Sequence, residues 1–264
     1  LVRQHGELGR HAALLAAAMP VRGRPRLLII APAWAGTGLR RWLLQLGRQI
    51  LCGKSAAFRP DVDVAGPDVR RDDADAVLDL GAQPAELGGL MTIMYLAGVT
   101  VACLALRAGL DVTEHLHVRA YKKLLDAADP PPDPPAVTMQ ELPTLAATWL
   151  AVRPDLTRLH VVGYGPAALS APAFAAATGL PCEAHEGSAW NHHSFQAVYA
   201  DPRTAVLVVT GPPGTRAATG GWGAAAAAQQ RIAEATRGAL ASRSRLVHLP
   251  DSATKGGPGC RSPR

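Results

Sequence analysis

Two strand–loop–helix units, far apart in the chain, constrain the fold more than any other feature of this sequence. In the first, the apolar run 27–31 (LLIIA) precedes a turn-rich loop and a helical pattern over 39–51. In the second, the run 205–210 (AVLVVT) precedes a Gly/Pro loop and a strong helix former at 224–241. A strand, a small-residue loop and a helix in that order form the unit of a parallel sheet. The sequence therefore predicts an α/β fold with a doubly wound parallel sheet.

The rest of the chain supplies further elements and one clear linker. Further strands are predicted at 77–80, 159–162 and 182–184, and further helices at 87–110, 140–152 and 167–178. Five prolines within 126–136 (DAADPPPDPPA) indicate a linker. We therefore expect four regions: a shortened first domain at 1–125, a Pro-rich and helical linker at 126–155, a second domain at 156–250 and a disordered tail at 251–264.

Composition and charge limit the classes of partner and the compartment that we expect for this chain. The net charge is +6, but aromatic residues are only 5% of the chain, so the basic residues are not interleaved with stacking rings and we expect no nucleic acid. The four cysteines are far apart and form no CxxC pair, which favours a reducing cytoplasm over a disulfide framework. The segment 87–106 is nearly uncharged and about as long as a bilayer span, yet a buried helix of a soluble protein has the same pattern, and we expect no membrane.

The loop after the strand 205–210 is the best candidate for anion binding. Thr210 and Thr215 offer hydroxyls at its two ends, and Gly211 and Gly214 allow backbone N–H groups to approach a phosphate. Such loops lie at the carboxyl end of a strand, where open parallel sheets bind ligands. A stiff βα turn is the alternative, because the two intervening prolines have no N–H group.

The segment 182–194 concentrates acid–base groups. Candidate catalytic residues are Glu183, Glu186, His192 and His193, which suffice for a proton transfer. A polar loop or a subunit interface would explain the same composition. His185 with His192 or His193 and a carboxylate could also hold a metal. The spacing matches no metal motif, so we predict no metal site.

Nucleotide-binding motifs do not fit. The segment 163–165 (GYG) lacks the third glycine of a dinucleotide fingerprint and the acidic residue that should follow. The pair Gly214-Thr215 is not followed by the Lys-Ser/Thr pattern of a P-loop. We therefore expect no cofactor of these classes, and predict none.

Several segments, in their order along the chain, resemble the sugar isomerase (SIS) family, and most closely the paired domains of glucosamine-6-phosphate synthases. The segment 205–215 (AVLVVTGPPGT) is similar to the family's strand and its phosphate loop Ser-x-Ser-Gly-x-Thr. The segment 179–184 (GLPCEA) is similar to the turn into its second strand, and Ser188 begins a Ser-Glu-Phe-like motif. In the first half, the segment 74–111 resembles the family's final strand and long closing helix, and Thr92 falls on the position where the family has a threonine.

The resemblance implies flavodoxin-like SIS domains in tandem, the first of them incomplete, that assemble as a homodimer and bind a phosphorylated sugar. The implied activity is aldose–ketose isomerisation through an enediol. Thr210, Gly211, Gly214, Thr215, Ser188 and Thr92 would bind substrate, His192 or His193 would assist ring opening, and Glu183 or Glu186 would move the proton.

The chain also departs from the family pattern. Met91 and Pro212 replace two of its serines, and the Lys–Glu pair that transfers the proton in the synthases has no counterpart. The alternative function is therefore a non-catalytic SIS-type protein that binds or senses a sugar phosphate.

Overall fold

The computed structural model describes residues 2–113, 116–125, 135–164, 169–211 and 222–250. Its helices and strands in chain order are α1 (Val2–Ala18), β1 (Arg26–Ile30), α2 (Thr37–Leu51), β2 (Asp61–Ala65), β3 (Ala76–Asp79), α3 (Leu87–Arg107), α4 (Leu116–Leu125), α5 (Leu142–Ala151), β4 (Arg158–Tyr164), α6 (Ala171–Thr178), β5 (Cys182–Glu186), α7 (Gly187–His193), α8 (Phe195–Ala200), β6 (Thr204–Thr210), α9 (Trp222–Leu240) and β7 (Ser244–His248). A short 3₁₀ turn, Ala241–Arg243, precedes β7.

The chain divides into two compact units. The first consists of Leu1–Ala120 and Asn191–Asp201, and the second of Tyr121–Trp190 and Pro202–Arg264. Of the linker predicted at 126–155, residues 126–134 lie outside the described residues and Leu142–Ala151 form α5. The predicted tail at 251–264 also lies outside the described residues. The predicted domain boundaries remain a prediction.

The first unit is built on a parallel sheet of order β2-β1-β3. The central strand β1 is apolar because both faces are covered, and Leu27, Leu28, Ile29 and Ile30 are completely buried. Helix α2 packs closely on β2, since a Cβ atom added at Gly47 would lie 2.6 Å from Cγ1 of Val62.

A buried arginine ties the first unit together. Arg48 of α2 is 6% exposed, and its Nε donates to the carbonyl of Val62 at 2.9 Å. One of its Nη atoms lies 3.6 Å from Asp63, and the other donates to the hydroxyl of Ser194 at 2.7 Å. The guanidinium therefore links α2, β2 and the segment 191–201.

Helix α3 packs in the same unit through Ile93, Leu96, Val101 and Leu104. Among the described helices it alone is long and apolar enough to cross a bilayer, a criterion that a core helix also meets. The expectation of no membrane remains a prediction.

The second unit contains a four-stranded parallel sheet of order β5-β4-β6-β7. Numbered within the unit, this order is 2-1-3-4, which is how the flavodoxin-like doubly wound order begins. From β4 the next strand in the chain, β5, is added on one side, whereas β6 and β7 are added on the other, so the strand order reverses between β4 and β6.

Helices cover both faces of this second sheet. Leu159, Val161 and Leu207 face α5 and α6 in one apolar core. The alternate residues face the other way, and there the Tyr164 hydroxyl is 3.2 Å from the Thr236 hydroxyl of α9. The predicted α/β class is confirmed by the two parallel sheets and their helices, whereas the tandem SIS arrangement stays a prediction.

Candidate functional site

The carboxyl edge of the second sheet is where a ligand site is expected. Its strands end at Tyr164, Glu186, Thr210 and His248, and because all four are parallel these ends share one edge. Tyr164 and Thr210 are direct neighbours in the register of β4 and β6. They flank the point at which the strand order reverses, and open α/β sheets bind ligands in the crevice at such a point.

Thr210, the first residue of the predicted phosphate loop, is 2% exposed. Its hydroxyl donates to the carbonyl of Val247 at 3.3 Å and contacts Nδ1 of His248. The backbone carbonyl of Thr210 accepts from the N–H of Leu249 at 2.8 Å. Thr210 therefore holds the end of β7, and it brings the His248 imidazole to this edge.

The remainder of that loop is only partly described. Gly211 follows Thr210 directly at the end of β6 and is half-buried. Gly214 and Thr215, the other predicted phosphate ligands, lie outside the described residues. Of the predicted phosphate loop, the structure therefore describes only Thr210 and Gly211, and both lie where the strand order reverses.

Tyr164 lies under the start of α7. A Cβ atom added at Gly187 would lie 2.4 Å from Cδ1 of the Tyr164 ring, so the residue there has to be glycine for the helix to begin so close to β4. The Tyr164 hydroxyl pairs with Thr236, which fixes the ring from the other end.

Glu183 lies between two imidazoles on the face of the sheet that α9 covers. His160 and Glu183 are register neighbours on β4 and β5, and His185 lies two residues farther along β5. Nε2 of His185 is 3.1 Å from Oε2 of Glu183, and Nε2 of His160 is 3.6 Å from Oε1. The two imidazole rings stack with their centroids 5.0 Å apart.

Trp190 of α7 completes this group. Its indole N–H donates to Nδ1 of His160 at 3.1 Å, and both side chains are buried, the indole completely. We call Trp190, His160, Glu183 and His185 the imidazole–carboxylate cluster.

Glu186 and Ser188 do not join this cluster. Successive residues of a strand point to opposite faces, so Glu186 faces away from the side that carries Glu183 and His185. Its side chain is exposed at the carboxyl edge. Ser188 is also exposed, as the second residue of α7.

The remaining predicted site residues belong to the first unit. His192 is exposed on α7, and His193, the last residue of that helix, has no described side chain. Thr92 is half-buried on α3, where its hydroxyl donates to the carbonyl of Gly88 at 2.9 Å. Thr92 thus bonds to the preceding turn of its own helix.

Two cysteines of the described residues, Cys52 and Cys182, are not suited to nucleophilic chemistry. Burial raises the pKa of the Cys52 thiol to about 12. Burial, and then the neighbouring Glu183 carboxylate, raise the pKa of the Cys182 thiol to about 11. Both therefore stay protonated near neutral pH, when a nucleophile would have to be a thiolate.

The imidazole–carboxylate cluster also has donors that metals use. Ligand atoms of His160, Glu183 and His185 all lie within 4.8 Å of one another. Two imidazoles and a carboxylate are a known zinc set. A histidine that binds a metal through one ring nitrogen usually donates the N–H of its other ring nitrogen to an acceptor, so the partner of that second nitrogen affects whether the imidazole can bind a metal.

Sequence reasoning missed His160, Trp190, Tyr164 and His248. His160 left a signal, because it is the single polar residue in the run 159–162 (LHVV) of an otherwise apolar strand. Helix packing brings Trp190 to His160, and the strand order brings His248 to Thr210. Neither can be inferred from the local sequence around these residues.

Comparison with known proteins adds little. No family model and no curated protein matches the chain. A crystal structure from Salmonella typhimurium LT2, described as a candidate sugar-binding protein, matches with 13% identity and a TM-score of 0.28 over 94% of this chain and 85% of that one. At that TM-score the likeness carries no argument about the fold or ligand of this chain.

Proposed function

We propose that this protein binds a phosphorylated sugar, with the phosphate at the carboxyl edge of the second sheet between β4 and β6. The observation that carries the proposal is the reversal of strand order there, with Tyr164 and Thr210 as register neighbours on its two sides. The resemblance of 205–215 to the SIS phosphate loop is the reason to choose a sugar phosphate over other ligands.

In this proposal the phosphate oxygens accept hydrogen bonds from backbone N–H groups and a threonine hydroxyl of the loop. The backbone N–H groups near Gly211 and Gly214 and the Thr215 hydroxyl donate to its oxygens. Thr210 begins the loop and positions His248 through the contact of its hydroxyl with Nδ1.

Aldose–ketose isomerisation is the second candidate function. The specific observation in its favour is that Glu183 lies within 3.6 Å of two imidazole nitrogens, so that acid and base groups are adjacent. Glu183 would take the proton from C2 of the open-chain aldose as O1 gains a proton, which gives the enediol, and would then deliver the proton to C1 as O2 loses its own, which gives the ketose. Ring opening by His192 or His193 is the remaining part of this hypothesis.

The SIS resemblance also leads us to propose a homodimer in the cytoplasm. Light scattering coupled to size-exclusion chromatography tests the first point, since a dimer has twice the 27.5 kDa mass of the chain. A monomer at all accessible concentrations would contradict it.

A thermal-shift screen against hexose, hexosamine and pentose phosphates tests the binding proposal. A ligand that binds only the folded state stabilises it by mass action, by about 2.7 kcal/mol at a hundred times its Kd. We expect one phosphosugar to raise Tm while the matching free sugar does not.

Two variants sharpen that screen. Thr215→Ala should lose the shift, whereas Thr144→Ala, which removes an exposed threonine of α5, should keep it. No shift with any phosphosugar, or an equal shift with the free sugar, would contradict the proposed phosphate site.

A further inference from the structure

Helix α3 exposes an uncharged, apolar face. The segment 87–106 contains no charged residue, and its exposed positions recur about once per helical turn. The large side chains of this face are Leu87, Met91, Met94, Tyr95 and Leu106, which are 75, 58, 41, 37 and 81% exposed. Single exposed apolar side chains need no partner, but a continuous row of five along one helix is typical of a surface that another molecule covers.

The middle of this α3 face carries two small residues. Ala102 is exposed, and a Cβ atom added at Gly98 would meet nothing within 4 Å, so the space above Gly98 is open. The threonines of the helix do not interrupt the face, because Thr92 bonds to the carbonyl of Gly88 and Thr100 is completely buried. The face therefore has its large side chains in the first half and at the far end, with small residues between them.

This order of large and small residues fits a second copy of itself in the antiparallel direction. A two-fold axis at the middle of the face, between Leu96 and Ala97, brings together residues at equal distances from it. Tyr95 then lies against Gly98, and Met91 lies against Ala102. Each contact places a large side chain against a small one, and a crossing angle of about 20° keeps the ends of two such helices in contact.

The charges at the two ends of the face favour the same arrangement. Glu86 precedes the first residue of α3, and Arg107 is its last residue. In an antiparallel pair each glutamate lies beside the arginine of the other copy, whereas a parallel pair would place like charges together. The opposed helix dipoles add to this preference.

A bilayer is a poorer occupant of this face. Helices that lie in a membrane interface have a polar face rich in lysine and arginine. The other side of α3 instead packs through Ile93, Leu96 and Val101 into the core of the first unit. The charge pattern at the ends of the helix also has no function in a neutral lipid surface, but it is matched by a second copy.

We propose that the exposed face of α3 is the surface through which two copies of this chain associate, antiparallel about a two-fold axis at its midpoint. The proposal rests on the homodimer proposed above and adds its surface and geometry, and it does not depend on the phosphosugar. One helix face is small beside the about 1,600 Å² of a standard interface, so the dimer should dissociate on dilution.

Disulfide trapping in the full-length chain tests the register. In Gly98→Cys the two thiol-bearing residues lie about 4.5 Å apart along the helix axis, and a disulfide needs Cα atoms about 4.4–6.8 Å apart. Leu106→Cys is the matched control, because its two copies lie about 29 Å apart in the antiparallel pair but face each other in a parallel one. Under mild oxidation we expect a covalent dimer on a non-reducing gel for Gly98→Cys, and none for Leu106→Cys or the wild type.

A charge placed on the face tests the surface by a second route. Met91→Lys should shift the mass measured by light scattering towards the monomer at concentrations where the wild type is a dimer. Val152→Lys changes a valine of the second unit that is 75% exposed, and it should leave the mass unchanged. Circular dichroism checks that both variants fold.

The outcomes separate this proposal from the others. A dimer that is not trapped in Gly98→Cys, or whose mass is unchanged in Met91→Lys, would overturn the interface while keeping the homodimer. A wild type that is monomeric at all accessible concentrations would overturn both, whereas phosphosugar binding would still be judged by its own screen. Trapping as expected without phosphosugar binding would reject the proposed ligand and keep the interface.

Flotation with phosphatidylcholine vesicles tests the other occupant. We expect the wild type to stay with the soluble fraction. Flotation of the wild type that is lost in Met91→Lys would assign the face to a lipid surface and overturn the inference.

Discussion

The indole N–H of Trp190 donates a 3.1 Å hydrogen bond to Nδ1 of His160, with both side chains buried beside β4. Because the donor comes from α7 and the acceptor from β4, this bond connects helix packing to the orientation of a titratable ring. Its removal should therefore change both the stability of the second unit and the state of the imidazole–carboxylate cluster.

Trp190→Phe should lower the free energy of unfolding by about 1–3 kcal/mol, because a buried acceptor loses its donor. Urea denaturation followed by circular dichroism measures the difference. Trp149→Phe is the matched control, since Trp149 packs at the edge of the core in the same unit, and it should cost less than about 1.5 kcal/mol. Equal effects of the two changes would contradict a specific role for the Trp190 bond.

Gly187→Ala should destabilise the protein by about 1–3 kcal/mol through overpacking. The added Cβ would lie 2.4 Å from the Tyr164 ring, and that ring is held by the Thr236 hydroxyl, so it cannot turn aside without losing a bond. Thermal or urea unfolding checks this prediction.

Gly98→Ala is the control for that change. A Cβ atom at Gly98 meets nothing within 4 Å, and alanine is favoured over glycine inside a helix by about 0.5–1 kcal/mol. We expect Gly98→Ala to be neutral or stabilising. A fully stable Gly187→Ala protein would show that α7 does not begin so close to β4.

Ser194→Ala should cost about 1–3 kcal/mol, because one donor of the buried Arg48 guanidinium loses its hydroxyl acceptor. Ser188→Ala changes an exposed serine of α7, six residues earlier in the chain, and should stay within about 0.5 kcal/mol of the wild type. Comparison of the two urea midpoints provides the measurement. If Ser194→Ala is as stable as Ser188→Ala, the Arg48 contact does not stabilise the first unit.

The Cys182 thiol should react slowly with iodoacetamide in the folded protein. Its pKa is raised from 9.0 to about 11, so thiolate is about a hundred times scarcer near neutral pH than in an unperturbed thiol. Alkylation at Cys182, followed by peptide mass spectrometry, should accelerate between pH 8 and 10 and on unfolding. Alkylation at pH 7 as fast as in the unfolded chain would be inconsistent with this environment.

The same pKa has a consequence for stability. A thiol whose folded pKa lies above its unfolded pKa contributes stability that is present below pH 9 and lost as the pH rises toward about 11. The folded protein should therefore lose stability across that window, and Cys182→Ser should lose less.

Much of the fold was predictable because its strands are apolar on both faces. The run LLIIA predicted β1, AVLVVT predicted β6, and the periodic leucines at 39–51 predicted α2, each within two residues of the observed bounds. Strand β2 (DVDVA) was not predicted, because it is only partly buried and its two aspartates interrupt the apolar run that would indicate a strand. Strand β7 was missed for the same reason, since its serine and arginine precede a short apolar end.

The candidate site was less predictable than the fold. Glu183 was identified from its segment, but its neighbours His160 and Trp190 come from another strand and from a helix. Strand register and the alternation of side chains decide that Glu183, and not Glu186, faces His160. Neither is visible in the local sequence, where both glutamates belong to the same polar segment.

Calorimetric titration of a phosphosugar into the wild-type protein measures binding at the proposed phosphate site. We expect saturable binding of the phosphosugar selected by the thermal-shift screen, no binding of the free sugar, and affinity at least about tenfold weaker, or about 1.4 kcal/mol, in Thr215→Ala. The absence of binding heat at several temperatures, or equal affinity in wild type and Thr215→Ala, would contradict a phosphate site at the β4–β6 edge.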